Sequence, residues 1–498
     1  MLRPMEAART EAPLPPGRPP ASPLARPPEM STSVVRRLVR DVRDEIVARG
    51  SFPPGPTDFS LSRTLQMARD PLPIVLSAYE RYGPVFSLRI LHQQQIWALG
   101  PEANHQILVA DAGNFHWREG GFADLIPLLG DGLLTIDGDY HRRARRILLP
   151  AFHRERIAAA AGTMVEEAEL ALRDWRPGEV VDIYHWARKL AMRIAMRALL
   201  GLDPDDDDTG ARAAVEFERA LSFYGTDFAL RLLRGPGSPW SRLHAAREQL
   251  DRILYDEIRR RRTSGDLGEG DVLGMLLAAT DEDGSALSDK EVRDQAITLM
   301  FAGHDTSTST ISFLLYELAR NPHELAALYE EQDRVLGGRP PTLADLTGGL
   351  PRLELVVDET LRLYPPAWIG PRRAVGACEV AGVRIPAGAY VNYSSWASHR
   401  LPEVFPEPEA FVPERFMPER KAALPKGAYV PFGGGSRTCI GMRFGQLEIR
   451  AVATLLLQRF RLELRPGRTM TVRQMPTLSP RGGLDMVVRE RGVATPAA

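Results

Sequence analysis

The chain has 498 residues, with 63 basic and 64 acidic side chains and a formal net charge of −1, which excludes a globally cationic nucleic-acid binder. Hydrophobic residues make up 44%, enough for a large core. Two cysteines, Cys378 and Cys439, form no disulfide framework and point to a reducing cytoplasm, and no run of about 18 apolar residues marks a membrane span.

Residues 1–30, rich in Pro, Ala and Arg, read as a disordered extension. Val35, Leu38, Val39, Val42 and Ile46 then recur at helical spacing, with Arg and Asp between them. Such a helix can lie on a membrane surface; most dock on the body of their protein, and docking is the expectation here. Pro53-Pro54-Gly55-Pro56 breaks the chain, so residues 1–50 are read as one unit and 51–498 as the main domain. A helix is predicted over Leu72–Tyr82, and a strand pair over Val85–Ile90 and residues 95–99. Residues 112–137 read as a loop carrying Phe115, Trp117, Phe122, Leu125, Ile126 and Leu129. On the helix that follows, His141 and Arg145 share one face and Arg142 and Arg146 another. Alone, that run is a solvated basic face. Gly201-Leu202-Asp203-Pro204 with the acids at 205–208 is a solvated turn, and Gly235-Pro236-Gly237 is a second break.

Ser288 and Glu291 form a capping box, and a helical pattern runs from there to Arg320, where Asn321-Pro322 stops it. Some thirty residues give a rod of roughly 45–50 Å. Its middle, Ala302-Gly303-His304-Asp305-Thr306, is poor in helix formers, and a local rule broken between apolar flanks is typical of functional sites. Glu359 and Arg362 share a helix face further on; as a bare pair they are commonplace. Near the C-terminus, Pro431-Phe432-Gly433-Gly434-Gly435-Ser436-Arg437-Thr438-Cys439-Ile440-Gly441 places a Cys between a glycine-rich loop and a helix. Glycines allow the backbone to approach a flat ligand closely, and a helix N-terminus and Arg437 both favour thiolate.

The run Phe432-x-x-Gly435-x-Arg437-x-Cys439-x-Gly441 resembles the haem-binding loop of the cytochromes P-450. The resemblance implies haem b with Cys439 as axial thiolate, Phe432 packed by the sulfur and Arg437 paired with a propionate. Its other motifs appear in family order. His141 and Arg145 would meet the propionates, with Arg142, Arg143 and Arg146 facing outward toward an acidic electron donor. Ala302 and Gly303 would leave room above the iron, Thr306 would hold a hydrogen bond there, Asp305 would bring in protons, and His304 would have no role. Glu359 and Arg362, completed by Arg415 in Pro413-Glu414-Arg415-Phe416, would be a buried structural tie. Ala367, Trp368 and Ile369 would touch substrate, Arg372 is a further propionate candidate, and Leu478 would tip the last turn into the pocket. The residues 112–137 would roof that pocket and the middle of the chain would form its lid.

The implied fold is mainly α with a small β lobe, a triangular prism with a long central helix over the haem. The implied activity is monooxygenation of a lipophilic molecule: fatty acid, terpenoid, steroid or polyketide. Dioxygen is the co-substrate. No reductase domain follows Cys439, so a separate ferredoxin or flavodoxin with its reductase is expected, in a cytoplasmic monomer with no transmembrane anchor. A peroxygenase or isomerase on the same fold, and a haem-based binder without turnover, stay open; the Asp305-Thr306 pair argues against the former.

Overall fold

Ser288 begins the helix on which the others pack. Its hydroxyl accepts from the Glu291 N–H, the Glu291 carboxylate accepts from the Ser288 N–H, and the helix then runs without interruption over Asp289–Arg320, 32 residues or about 48 Å. A computed structural model describes residues 34–48, 52–205, 208–226, 228–268, 270–281 and 284–491. The extension expected over 1–30 lies outside them. The longer helices are α1 Val34–Val47, α2 Leu61–Arg69, α3 Leu72–Tyr82, α4 Gly138–Leu148, α5 Arg154–Leu172, α6 Ile183–Ala195, α7 Asp208–Ser222, α8 Pro239–Ser264, α9 Asp289–Arg320, α10 Pro322–Leu336, α11 Pro351–Leu363 and α12 Met442–Arg459.

The weak helix formers in α9 do not kink it. Thr306, Thr308, Thr310 and Ser312 each donate to the carbonyl four residues back, so their hydroxyls are satisfied inside the helix instead of competing with it. Residues of α9 are buried nearly all round, against α6 and α12 among others. Such a helix needs no amphipathic stripe, because every side meets another element.

The strands form small sheets. β1 Val85–Ile90, β2 Gln93–Ala98, β3 Phe115–His116, β5 Gly370–Ala374 and β8 Tyr390–Tyr393 make one, in the order β1-β2-β8-β5-β3. β4 Val180–Asp182, β9 Phe460–Leu464 and β12 Asp485–Glu490 make a second, β6 Cys378–Val380 with β7 Val383–Ile385 a third, and β10 Val472–Arg473 with β11 Ser479–Pro480 a fourth. Residues 112–137 hold more structure than a loop: strand β3, a 3-10 turn over Gly121–Leu125 and a short helix over Ile126–Leu129. The side chain of Phe122 lies outside the described ones.

Alternation along β5 sends its two arginines to opposite faces. Arg373 meets Asp44 of α1, while Arg372 stacks on Trp117, 3.8 Å from the ring centroid. Helix α1 does dock on the sheet, but with its polar side. Asp41 accepts from the Tyr390 hydroxyl at 2.9 Å, Glu45 pairs with Arg89, and Ala48 is buried, whereas Val35, Val39, Ile46 and Val47 are exposed. The charges that the sheet offers there, Arg373 and Arg89, select the acidic side of the helix.

Candidate functional site

The cysteine loop is shaped by its glycines. Gly433 and Gly435 sit at φ of +69° and +59°, and a Cβ on Gly435 would lie 2.3 Å from the Leu108 carbonyl oxygen. Only glycine meets both demands at position 435. The Cys439 N–H donates to the Phe432 carbonyl at 2.9 Å and closes the loop, and Gly441 then caps α12. Cys439 is surrounded by protein on every side, yet its side chain keeps accessible surface. Both statements hold together because the sulfur faces an interior cleft. Burial pushes the thiol up, opposed by the Gly441 N–H and the Arg145 charge.

Cations gather beside it. Arg437 donates to Asp137 at 2.5 Å and to the Ile136 carbonyl at 2.7 Å, and its guanidinium lies 5.0 Å from the Trp117 ring centroid. Burial, with Arg372 and Arg145 adding to it against Asp137, pushes Arg437 down to about 10. Burial, then Arg437 and Arg145, push His141 down to about 3. The structure thus brings Arg145 and Arg372 up to Arg437, which both repel, with the uncharged ring of His141 beside them. Asp137 and Trp117, expected only as part of the pocket roof over residues 112–137, hold Arg437: Asp137 also accepts from the Trp117 and Arg118 N–H groups. The only hint was the acid just before the predicted helix.

The outward-facing role expected for Arg143 is overturned. Arg143 is buried and pairs with Glu291 at 3.0 Å, tying α4 to the start of α9, because the capping carboxylate there needs a counter-charge. Arg142 and Arg146 are exposed as expected.

At the middle of α9, Ala302, Gly303 and Thr306 keep accessible surface while their neighbours are buried. They fall at spacings of one and four, on one face of the helix. The Thr306 hydroxyl donates to the Ala302 carbonyl at 2.6 Å. Asp305 points the other way. It accepts from Arg188 of α6 at 2.5 Å and from the Thr477 hydroxyl at 3.0 Å. Arg188 also pairs with Glu218 of α7 at 2.8 Å, and Glu218 lies 3.1 Å from His304 Nε2. His304, expected to have no role, is fully buried in this network. Burial would raise Glu218, but His304 and Arg188 outweigh it and hold the carboxyl down at about 2. Arg188, Glu218 and Thr477 sit far from one another and from α9 in the chain, so sequence carried no signal for them.

Glu359 and Arg362 are wholly buried and joined by two bonds of 2.7 and 2.8 Å. Arg415 approaches Glu359 at 3.5 Å. The remaining Arg362 donors reach the carbonyls of His399, Pro408 and Ala410, so the buried guanidinium of Arg362 is bonded on every nitrogen. His399 extends this tie. The Val430 N–H donates to its Nε2 at 2.9 Å, which leaves Nδ1 to donate to the Arg362 carbonyl at 3.2 Å. Val430 leads directly into the cysteine loop, so the tie ends at the sulfur's own support.

Of the expected pocket residues, Ala367 is exposed and Ile369 half-buried. Trp368 is buried, with its indole N–H donating to the Gln474 carbonyl at 2.8 Å and its ring edge-on to Trp396. Leu478 keeps no accessible surface; Thr477 beside it makes the contact with α9 instead, because the Leu478 N–H is drawn back to the Pro366 carbonyl.

This donor set fits a flat dianionic macrocycle carrying a metal. A thiol in an interior cleft supplies the metal ligand, and the crowded cations gain by receiving two carboxylates.

Comparison with known proteins agrees. Residues 53–484 match the family model described as Cytochrome P-450. Cyclooctatin synthase of Streptomyces melanosporofaciens is 35% identical over 438 residues, covering 86% of this chain and 93% of that one. Cyclooctat-9-en-7-ol 5-monooxygenase of the same organism is 35% identical over 421 residues, covering 82% and 89%. Among solved structures, the retinoic-acid-bound cyanobacterial CYP120A1 superposes with a TM-score of 0.79 at 28% identity, covering 88% of this chain and 99% of that one.

Proposed function

The chain belongs to the cytochrome P-450 family and is a haem-thiolate monooxygenase, and from that premise we propose that Cys439 is its axial ligand and that it oxygenates a lipophilic alicyclic molecule of terpenoid type. The observation that carries the reading is the accessible Cys439 sulfur in the protein interior, beside His141, Arg145, Arg372 and Arg437. Haem with a thiolate ligand supplies dioxygen activation, placing one oxygen atom in substrate and one in water with two electrons and two protons. The relative named for cyclooctat-9-en-7-ol, an alicyclic alkenol by its name, and the neighbour bound to retinoic acid support the substrate class. A family member needs electrons from a redox partner, and a ferredoxin or flavodoxin with its reductase would supply them.

Arg145, Arg372 and Arg437 would hold the propionates, and His141 would add a ring nitrogen. Ala302 and Gly303 keep that stretch of α9 free of bulk. Thr306 holds a proton on Oγ1 that it can turn from the Ala302 carbonyl toward the cleft. Asp305 is the proton carrier. Arg188 cannot release a proton, so it serves to anchor the carboxylate by an ion pair between turnovers, and transfer requires Asp305 to leave Arg188 and turn toward Thr306. Glu218, half exposed on α7, gives the network its contact with solvent.

The test is spectral and chemical. The reduced, CO-bound protein should show the red-shifted Soret band of a thiolate ligand, and Cys439→Ala should lose it. A screen of terpenoids, steroids and fatty acids for the spin-state shift on binding, followed by turnover with a ferredoxin system, should yield hydroxylated or epoxidised alicyclic products. Turnover of fatty acids alone would refute the substrate class; an unshifted band in the wild type would refute the ligand.

A further inference from the structure

Trp117 is placed by a strand register. β3 runs antiparallel to β5, with Phe115 opposite Ala374 and His116 opposite Arg373. One step further along, Trp117 falls opposite Arg372, and residues opposite one another in such a pair share a face. The chain then turns back at once: the Gly120 N–H donates to the Trp117 carbonyl at 3.0 Å. Gly120 and Gly121 let that turn lie on β5, since a Cβ on Gly120 would sit 2.9 Å from Arg372 Cα and one on Gly121 2.7 Å from the Pro371 ring. Two glycines in a row thus bring the indole down onto the strand.

Arg372 is 1% exposed. Its guanidinium donates to the Pro371 carbonyl at 3.0 Å, and it lies 3.8 Å from the Trp117 ring centroid and 5.2 Å from that of Tyr393. These contacts attract a cation without neutralising it. Arg437, 5.0 Å from the same indole, repels Arg372 and pairs with Asp137. A π face draws cations, and more strongly where water is excluded, so the ring offsets part of the cost of keeping two like charges together.

We propose that Trp117 is a positioning residue for retention of the cofactor: its indole holds the Arg372 and Arg437 guanidiniums together and leaves charge available to the two carboxylates of the macrocycle. The proposal rests on the reading that these arginines would hold the propionates. A further carboxylate in place of the indole would gather the same cations by cancelling them. An aliphatic side chain would fill the space and leave them to repel. An aromatic ring gathers without cancelling.

The experiment is transfer of haem from the full-length, loaded chain to an excess of apomyoglobin, followed at the Soret band. Trp117→Met keeps an apolar side chain and removes the ring, and haem loss should quicken about tenfold. Trp117→Phe keeps a ring and should stay within about threefold of the wild type. Gly120→Ala, which lifts the turn off β5, should quicken loss while changing neither arginine nor ring. Chains still loaded should keep the thiolate band of the CO-bound spectrum, and circular dichroism melting would show each variant folded. Arg372→Gln should itself lose haem faster. Adding Trp117→Met to it should change the rate by less than the same substitution does in the wild type, which mere loosening of the loop would not produce. Equal rates for the wild type and Trp117→Met, or equally fast loss from the Met and Phe variants, would overturn the proposal with its premise intact. An unchanged rate in Arg372→Gln would instead remove the premise, and the proposal with it.

Discussion

Glu448 should make this protein lose stability as pH rises. It lies on α12, buried, with Oε2 accepting from the Ser307 hydroxyl at 2.6 Å and Oε1 without a hydrogen-bond partner. Burial pushes its pKa up to about 8, against the opposing pull of the Ser307 hydrogen bond. Between the ordinary glutamate value near 4.5 and about 8, the folded protein holds a proton there that the unfolded chain has released. Stability tied to this group is therefore fully present below about pH 4.5 and is lost as pH rises through about 8. At 1.36 kcal/mol per pKa unit, ionising Glu448 in place costs on the order of 5 kcal/mol. Glu448→Gln keeps the shape and removes the charge. Urea unfolding followed by circular dichroism should give the two proteins similar stability near about pH 5, with the variant ahead by several kcal/mol above about pH 8. The difference between the curves isolates this group from the others that titrate. Parallel curves across that range would mean that the carboxylate is ionised in the fold, and the reasoning from burial would fail. Ser307 directly follows Thr306, so the same titration should loosen α9 at the proposed site, read as faster amide exchange there at alkaline pH.

Arg362→Ala strands Glu359 in the core at a cost of about 3–5 kcal/mol, and the variant should retain far less haem per protein, read as the ratio of Soret to protein absorbance. Gly435→Ala places a Cβ 2.3 Å from the Leu108 carbonyl at a left-handed φ; haem loading and the thiolate CO spectrum should fall although no charge or ligand changes. Asp305→Asn should leave the CO spectrum intact while product formation falls about 100-fold or more, since a proton carrier is lost and the ligand is not. Unchanged turnover in that variant would move the carrier role elsewhere in the Arg188–Glu218–His304 group.

Legibility differed from residue to residue for physical reasons. Local rules were enough for the capping box at Ser288 and Glu291, for the ends of α3 and β1, and for the glycine loop around Cys439, because caps, periodicity and φ demands act over a few residues. Family order added the Glu359–Arg362–Arg415 tie, whose members the fold does bring together. Three things lay beyond reach. The partners of Asp305 come from α6 and the β10–β11 turn, with Glu218 of α7 reaching it only through Arg188, and no spacing along the chain encodes such meetings. Arg143 and its neighbours looked alike as a basic run until packing gave one of them Glu291. Helix α1 was readable as amphipathic, but which side would dock was not. The periodicity alone determined that a helix forms there; the positions of Arg373 and Arg89 on the sheet decided that its acids turn inward, because burying the apolar side against those two arginines would have left their charges unmatched.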